Sequence, residues 1–324
     1  MEAFMLGAAG AGAQGQSGAE VPKRPLGSTG LEVSVLGIGG YHLGSVDSDG
    51  EAIQIVNQAL DAGVNFFDNA WEYHQGLSEE RLGRALKGKR DRAVVMTKVC
   101  THGRDKNVAM RQLEESLTRL QTDHLDLWQI HEVIYENDPE LIFAPNGAAE
   151  ALLQARQQGK VRFLGFTGHK DPSIHLKMLS HNFPFDTVQM PLNCLDATFR
   201  SFETKVLPEV NRRGMAALGM KSLGGSGELV REGAVVVTMG LRYAMSLPVA
   251  VTISGIDSLD VLHQNLQVAR GFQALSSAQM QTLREACRFD ASDGHLELFK
   301  TTKKYDGDIG REMHGFPSSA ALPL

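Results

Sequence analysis

The chain has 324 residues, 42% of them apolar and 22% charged, which excludes a disordered or collagen-like protein and leaves ample apolar surface for a core. Its 38 acidic and 32 basic residues give a net charge of −6, so nucleic acid is not the expected main partner. No run of 18 apolar residues predicts a membrane span, and Cys100, Cys194 and Cys287 lack the spacing of a disulfide framework or a zinc site.

Residues 1–20 hold eleven Gly or Ala and few large side chains, so residues 1–24 are expected to form a mobile tail, with folding from Pro25. Two readings of this tail stand. It is either an unstructured extension of a cytoplasmic protein or a signal remnant. Residues 4–13 resemble the second half of a twin-arginine export signal without its arginine pair, which would place the protein in the periplasm.

Beyond the tail, two periodicities alternate. Short runs apolar on both faces, suited to buried parallel strands, fall at 33–38, 65–67, 93–97, 125–130, 161–166, 187–190, 216–218 and 249–253. Helical stretches fall between and after them at 51–62, 78–86, 108–120, 147–158, 172–180, 202–212, 235–245 and 258–269. In 108–120, Leu113, Leu117 and Leu120 share one face. Asp171-Pro172 predicts a helix start, with Pro at the first helical position. Gly63 and Gly159 predict helix ends.

Eight strand–helix units predict an α/β fold of the closed (β/α)8 class, a TIM barrel over 25–290. An open doubly wound sheet is the rival. Gly37-Ile38-Gly39-Gly40 lacks the GxGxxG spacing that fold would need. The segment 291–324, with His295, Phe299, Tyr305 and His314, is expected to cross the barrel mouth.

In a barrel the chemistry lies at the C-terminal strand ends. Asp68 ends the second strand and Tyr73 follows in its loop; Lys98 ends the third strand and His131 the fourth. An ionisable group in a barrel mouth needs a partner, and Asp68 with Lys98 is the simplest pair. Tyrosine titrates near 10, too high for an efficient acid at neutral pH, and a nearby ammonium is expected to lower that value. His131 is placed to hydrogen-bond a substrate carbonyl. Taken singly, each residue has an ordinary structural explanation; together they form a proton-donating set.

These residues resemble a known pattern. Asp68-Asn69-Ala70-Trp71-Glu72-Tyr73, with Gly76-Leu77-Ser78-Glu79 and Leu82-Gly83 behind it, is similar to the signature of the aldo-keto reductase superfamily. Leu26-Gly27-Ser28-Thr29-Gly30-Leu31-Glu32-Val33-Ser34 resembles its opening hairpin and first strand, and the run from Asp123 to His131 its fourth-strand motif. The likeness extends from about Pro25 to Phe272. It implies NAD(P)(H)-dependent reduction of an aldehyde or ketone to an alcohol, or the reverse. Tyr73 would then be the general acid, Lys98 and Asp68 would tune it, and His131 would orient the substrate.

The same resemblance assigns the later strands to the nucleotide. Thr167 and Gln189 would meet the nicotinamide carboxamide; Gly168 stands where the family has Asn, and His169 is a substitute or an ordinary surface loop residue. Met220 replaces a stacking aromatic ring. Lys221 would meet the pyrophosphate, helped by the loop containing Leu223 and Gly225. Gly255 and Asp257 would lie near the ribose, Gln264 and Asn265 near adenine. With Asp257 and no Lys or Arg between Ser254 and Asn265, NAD(H) is slightly favoured over NADP(H). Trp71, Trp128, Glu132, Tyr135 and His42 are candidate pocket residues.

Two other classes stay open: a nucleotide-binding regulatory subunit with negligible turnover, and a Schiff-base lyase using Lys98. The expected partner is a small carbonyl or alcohol, with neither nucleic acid nor membrane. The substrate's identity and the oligomeric state are not encoded in any motif.

Overall fold

A two-stranded antiparallel hairpin, β1 (Lys23–Pro25) and β2 (Glu32–Ser34), opens the fold in a computed structural model that describes residues 20–100 and 105–323. The tail and its resemblance to an export signal fall on 1–19, outside the described residues. The packed chain begins earlier than Pro25. Val21 is buried and donates its N–H to the Ala62 carbonyl at 3.0 Å.

Eight further strands follow: β3 (Leu36–Gly39), β4 (Phe66–Asp68), β5 (Val94–Val99), β6 (Leu125–Ile130), β7 (Val161–Thr167), β8 (Thr187–Pro191), β9 (Ala216–Met220) and β10 (Val251–Gly255). Each pairs in parallel with the next, and β10 closes on β3. This is a (β/α)8 barrel; the open sheet is excluded. The expected first strand at 33–38 divides, its front half going to the hairpin and Leu36–Gly39 to the barrel.

Side chains alternate across each strand, so half fill the barrel and half face the helices. Leu26 and Val33 of the hairpin pack with Phe66, Val94, Leu127, Ala216 and Val251, near the strands' N-terminal ends. The hairpin thus closes that end with apolar contact. On β5, Met96 joins this interior cluster, whereas Val95 and Val99 belong to the outer core against the helices. The same alternation turns Lys98 inward.

Helix ends follow local chemistry. Ser48, Asp105, Asp171 and Ser258 accept backbone N–H groups at the starts of Asp49–Asp61, Lys106–Leu120, Pro172–Ser180 and Leu259–Arg270. Gly63 and Gly159 adopt positive φ just past helix ends. The stretch 202–212 is not one helix. It breaks at Val206 into Phe202–Lys205 and Leu207–Arg212, where Pro208 has no N–H to continue the ladder. Cys194 and Cys287 are buried free thiols with sulfurs 3.4 Å apart. No helix among the described residues is long and apolar enough to cross a membrane.

Gly83, in helix Leu77–Ala85, touches the backbone of helix Lys106–Leu120; a Cβ there would lie 2.5 Å from the Arg119 carbonyl oxygen. Gly83→Ala is therefore expected to lower stability by about 1–3 kcal/mol through overpacking. The measurement is a urea melt, with a lower midpoint at unchanged slope.

Candidate active site

Four side chains converge at the C-terminal end of the barrel. Lys98, only 1% exposed, donates from Nζ to Asp68 Oδ1 at 2.5 Å, to the Asn69 carbonyl at 2.7 Å and to Tyr73 Oη at 3.4 Å. The His131 ring stands edge-on to Tyr73, with centroids 5.6 Å apart. The expected Asp68–Lys98 pair therefore forms, and Tyr73 and His131 meet beside it.

The loop carrying Tyr73 is held by the residues behind it. Trp71 donates its N–H to the Lys98 carbonyl at 3.1 Å, and the Tyr73 N–H closes a turn on Ala70 at 3.1 Å. Gly76 takes φ +94, and a Cβ there would strike the Arg119 guanidinium. Arg119 donates to the Trp71 carbonyl at 2.8 Å and to buried Glu79 at 3.2 Å. Glu79 also accepts from Thr97 at 2.6 Å, tying the loop to β5. Burial raises the Glu79 carboxyl above its ordinary value, against the pull of those donors.

The electrostatics of Tyr73 differ from the sequence expectation. Its hydroxyl is pushed well above 10, first by burial and then by the carboxylates of Asp68, Glu72 and Glu132. Burial and those carboxylates outweigh any lowering by Lys98, whose ammonium is paired with Asp68. Tyr73 is accordingly protonated at neutral pH. Glu72, which the sequence reading quoted only within the motif, forms an ion pair with His131 Nδ1. Despite burial, His131 and Lys98 hold the Glu72 carboxyl below its usual range.

These groups open onto a cavity of about 580 Å³. Thr167, His169, Gln189, Met220, Lys221, Leu223 and Gly225 line one side, and Gly255 and Asp257 another. Gln189 Nε2 and Thr167 Oγ1 lie 3.6 and 4.0 Å from the Met220 sulfur. Gln189 Oε1 and His169 Nε2 are buried without a hydrogen-bond partner among the described residues. His169 is not a surface residue. Its Nδ1 donates to the Phe299 carbonyl at 2.8 Å, leaving Nε2 as an acceptor, and burial holds the ring neutral, well below the usual histidine value. Gly168 has no room for the family's Asn, since any Cβ would collide with the Val133 carbonyl. A buried hydroxyl donor and two buried acceptors suit a carboxamide, which offers one carbonyl and one NH2 group.

Other candidates are placed differently. Gln264 is exposed, and Asn265 is buried with its amide given to Ser254 Oγ at 3.0 Å; neither is among the described residues that line the cavity. Trp128 is fully buried in the outer core. Trp71 turns away to Glu115, to which its indole donates at 2.6 Å. Tyr135 donates to Asp306 at 2.9 Å. His42 and Glu132 do line the cavity, the former with its ring over Gly255.

The C-terminal segment supplies the remaining wall through Lys304, Tyr305, Asp306 and Gly307. Gly307 donates its N–H to Glu132 at 2.7 Å, and Lys170 pairs with Asp306 at 2.7 Å. The Tyr305 ring covers Gly225 so closely that a Cβ there would not fit. Lys221, with φ +55, lies 4.7 Å from the Tyr305 ring and 5.4 Å from Phe299. Burial pulls its ammonium down to about 8, against the carboxylates of Glu132 and Glu228. Neither the strain at Lys221 nor this covering was visible in any motif.

Comparison with known proteins agrees with this fold. Residues 35–235 match the model of the Aldo/keto reductase family. L-galactose dehydrogenase of Arabidopsis thaliana is 35% identical over 159 residues, 46% of this chain and 49% of that protein. Aldo-keto reductase YhdN of Bacillus subtilis is 29% identical over 197 residues, 56% of each chain. The chain thus spans about half the length of these curated relatives. The holo form of aldo-keto reductase AKR11C1 from Bacillus halodurans superposes with a TM-score of 0.69 at 25% identity, covering 82% of this chain and 96% of that one. With the barrel, the converging side chains and a family match over most of its length, the chain belongs to the aldo/keto reductase family.

Proposed function

We propose that the protein reduces an aldehyde or ketone to an alcohol with a reduced nicotinamide cofactor, and that Tyr73 is the general acid. The observation that carries this is the convergence of Tyr73, Lys98 and His131 on a cavity whose opposite wall holds the orphaned acceptors of Gln189 and His169. Thr167, Gln189 and His169 would hold the carboxamide, and Met220 would pack against the ring. The cofactor supplies the hydride when bound.

The chain's own residues account for the rest. Tyr73 delivers the proton from Oη to the carbonyl oxygen, and Lys98, fixed by Asp68, stabilises the oxygen that loses it. His131 donates a hydrogen bond to the same carbonyl and sets its orientation. Tyr73 is protonated at neutral pH, the form that can donate a proton in the reductive direction. A Schiff-base lyase is disfavoured, since the Lys98 ammonium is buried and shared among three acceptors. A silent regulatory subunit is disfavoured by the intact proton-donating set. A cytoplasmic setting goes with this reading, because a reductase needs continual resupply of reduced nicotinamide.

Polar groups line much of the cavity, among them Glu132, Asp306, Ser226 and His42, and they favour a polyhydroxylated carbonyl compound. The likeness to L-galactose dehydrogenase points the same way. For the cofactor we favour NAD(H), because exposed Asp257 stands at the edge of the cavity where a 2′-phosphate would be repelled.

Tyr73→Phe is expected to cut carbonyl reduction at least about a hundredfold with little change in cofactor affinity. Nicotinamide depletion across aldehydes, ketones and sugars, with fluorescence titration of the cofactor, measures both. The reverse reaction needs the phenolate. Its raised titration point means that the phenolate fraction keeps increasing with pH, so alcohol oxidation should still be climbing at pH 10. A plateau below pH 9 would contradict that. For the nucleotide, wild type should bind NADH more tightly than NADPH, and Asp257→Arg should narrow or invert the difference. Unchanged NADPH affinity in the variant would remove Asp257 from the ribose site.

A further inference from the structure

We propose that Glu72 is a positioning residue for His131, holding its Nδ1–H so that Nε2 faces the substrate and supplying the countercharge for an imidazolium that donates from Nε2. The proposal rests on the carbonyl-reductase reading above.

The first support is geometric. Glu72 and Tyr73 are consecutive residues on one turn, braced by the Trp71 and Tyr73 N–H bonds and by Arg119. The Glu72 side chain is 12% exposed and the His131 side chain 10%, and Oε1 meets Nδ1 directly. His131 comes from the end of β6, so this contact joins the proton donor's loop to a different strand. The ionisable groups facing Glu72 are His131, Lys98 on β5, the Cys100 thiol just after β5, and Tyr73 on its own turn. Two of these favour its charged form.

The second support is proton counting. Glu72 Oε1 stands against His131 Nδ1 as an ion pair, and His131 and Lys98 favour its charged form, so the Nδ1 proton is the one it would accept. A neutral imidazole has one proton, so with Nδ1–H committed, Nε2 would be a bare acceptor. A carbonyl oxygen is also only an acceptor, and the two would repel. A productive His131 therefore carries both protons, and the Glu72 carboxylate is the charge that offsets the second. His131 takes up one proton from solvent on forming this state, and no bond to carbon is involved. Tyr73 still gives the proton that becomes the alcohol hydroxyl.

Glu72→Gln keeps the shape and an acceptor oxygen but removes the charge. Three measurements test it on the full chain: the pH profile of kcat for reduction, the 15N signals of His131 assigned with His131→Asn, and cofactor affinity by fluorescence. With the carboxylate gone, the high-pH decline of kcat should set in at lower pH in Glu72→Gln than in the wild type. The His131 15N pattern should lose its doubly protonated form at correspondingly lower pH. Cofactor affinity should stay within about twofold, because Glu72 faces the substrate side. Glu72→Asp, which keeps the charge, should restore much of the profile.

An unchanged pH profile together with an unchanged 15N pattern in Glu72→Gln would overturn the proposal. So would an unprotonated Nδ1 in the wild type at pH 7, a result that needs no variant to fold. If the wild type reduces no carbonyl compound, the enzymatic reading fails by itself. The 15N comparison then still decides whether Glu72 sets the protons of His131.

Discussion

The site hangs on one buried ion pair. Lys98 is almost fully enclosed in the barrel mouth, where an unpaired ammonium would be strongly unfavourable. Asp68 ends the neighbouring strand and meets it, and the Asn69 carbonyl takes a second hydrogen. Removing either partner of such a pair typically costs about 3–5 kcal/mol, because a charge is left without its counterion. The pair exists because Asp68 ends one strand and Lys98 faces inward near the end of the next, two residues past the register position of Asp68, with a side chain long enough to reach it. Its remaining hydrogen then points at the Tyr73 hydroxyl.

Around that pair, charge is more crowded than the motif implies. Asp68, Glu72 and Glu132 all bear on Tyr73, and their sum with burial outweighs the single ammonium. The motif residues that follow Tyr73 act by holding it. Glu79 and Arg119 tie the loop to β5 and to helix Lys106–Leu120, while Gly76 makes room for the Arg119 side chain.

Barrel topology and the Asp68–Lys98–Tyr73–His131 set were legible in the sequence for a physical reason. Alternating periods of two and 3.6 residues are imposed by burial, and an ionisable residue at a strand's end has few places to point. What was not legible depends on contacts between distant segments. The direction of the Tyr73 shift is set first by burial in the assembled barrel mouth, with Glu132 adding to it from another loop. The tautomer of His169, with Nδ1 donating, needs the Phe299 carbonyl, 130 residues away. The exclusion of Gln264 and Asn265 from the cavity wall depends on how one helix is rotated about its axis, and Asn265 is turned inward by its bond to Ser254. The break at Val206 was readable in principle, since Pro208 sits two residues beyond it.

The segment that crosses the mouth, from Phe299 to Gly307, does more than shape a wall. It covers His169 and lies against Lys221, which stays partly open to the cavity, and so contributes to the local polarity around both. It is held at many points, all on loops beyond the strand ends: His169, Lys170 and Arg200 bond the carbonyls of Phe299, Thr302 and Lys300, Lys170 and Tyr135 hold Asp306, Glu132 holds Gly307, and Gly225 receives the Tyr305 ring. The barrel strands could therefore stay unchanged while this one strap varies, and the charge state of the cavity would vary with it. In that sense the protein carries its reactive groups in the barrel and part of their dielectric environment in the strap from Phe299 to Gly307.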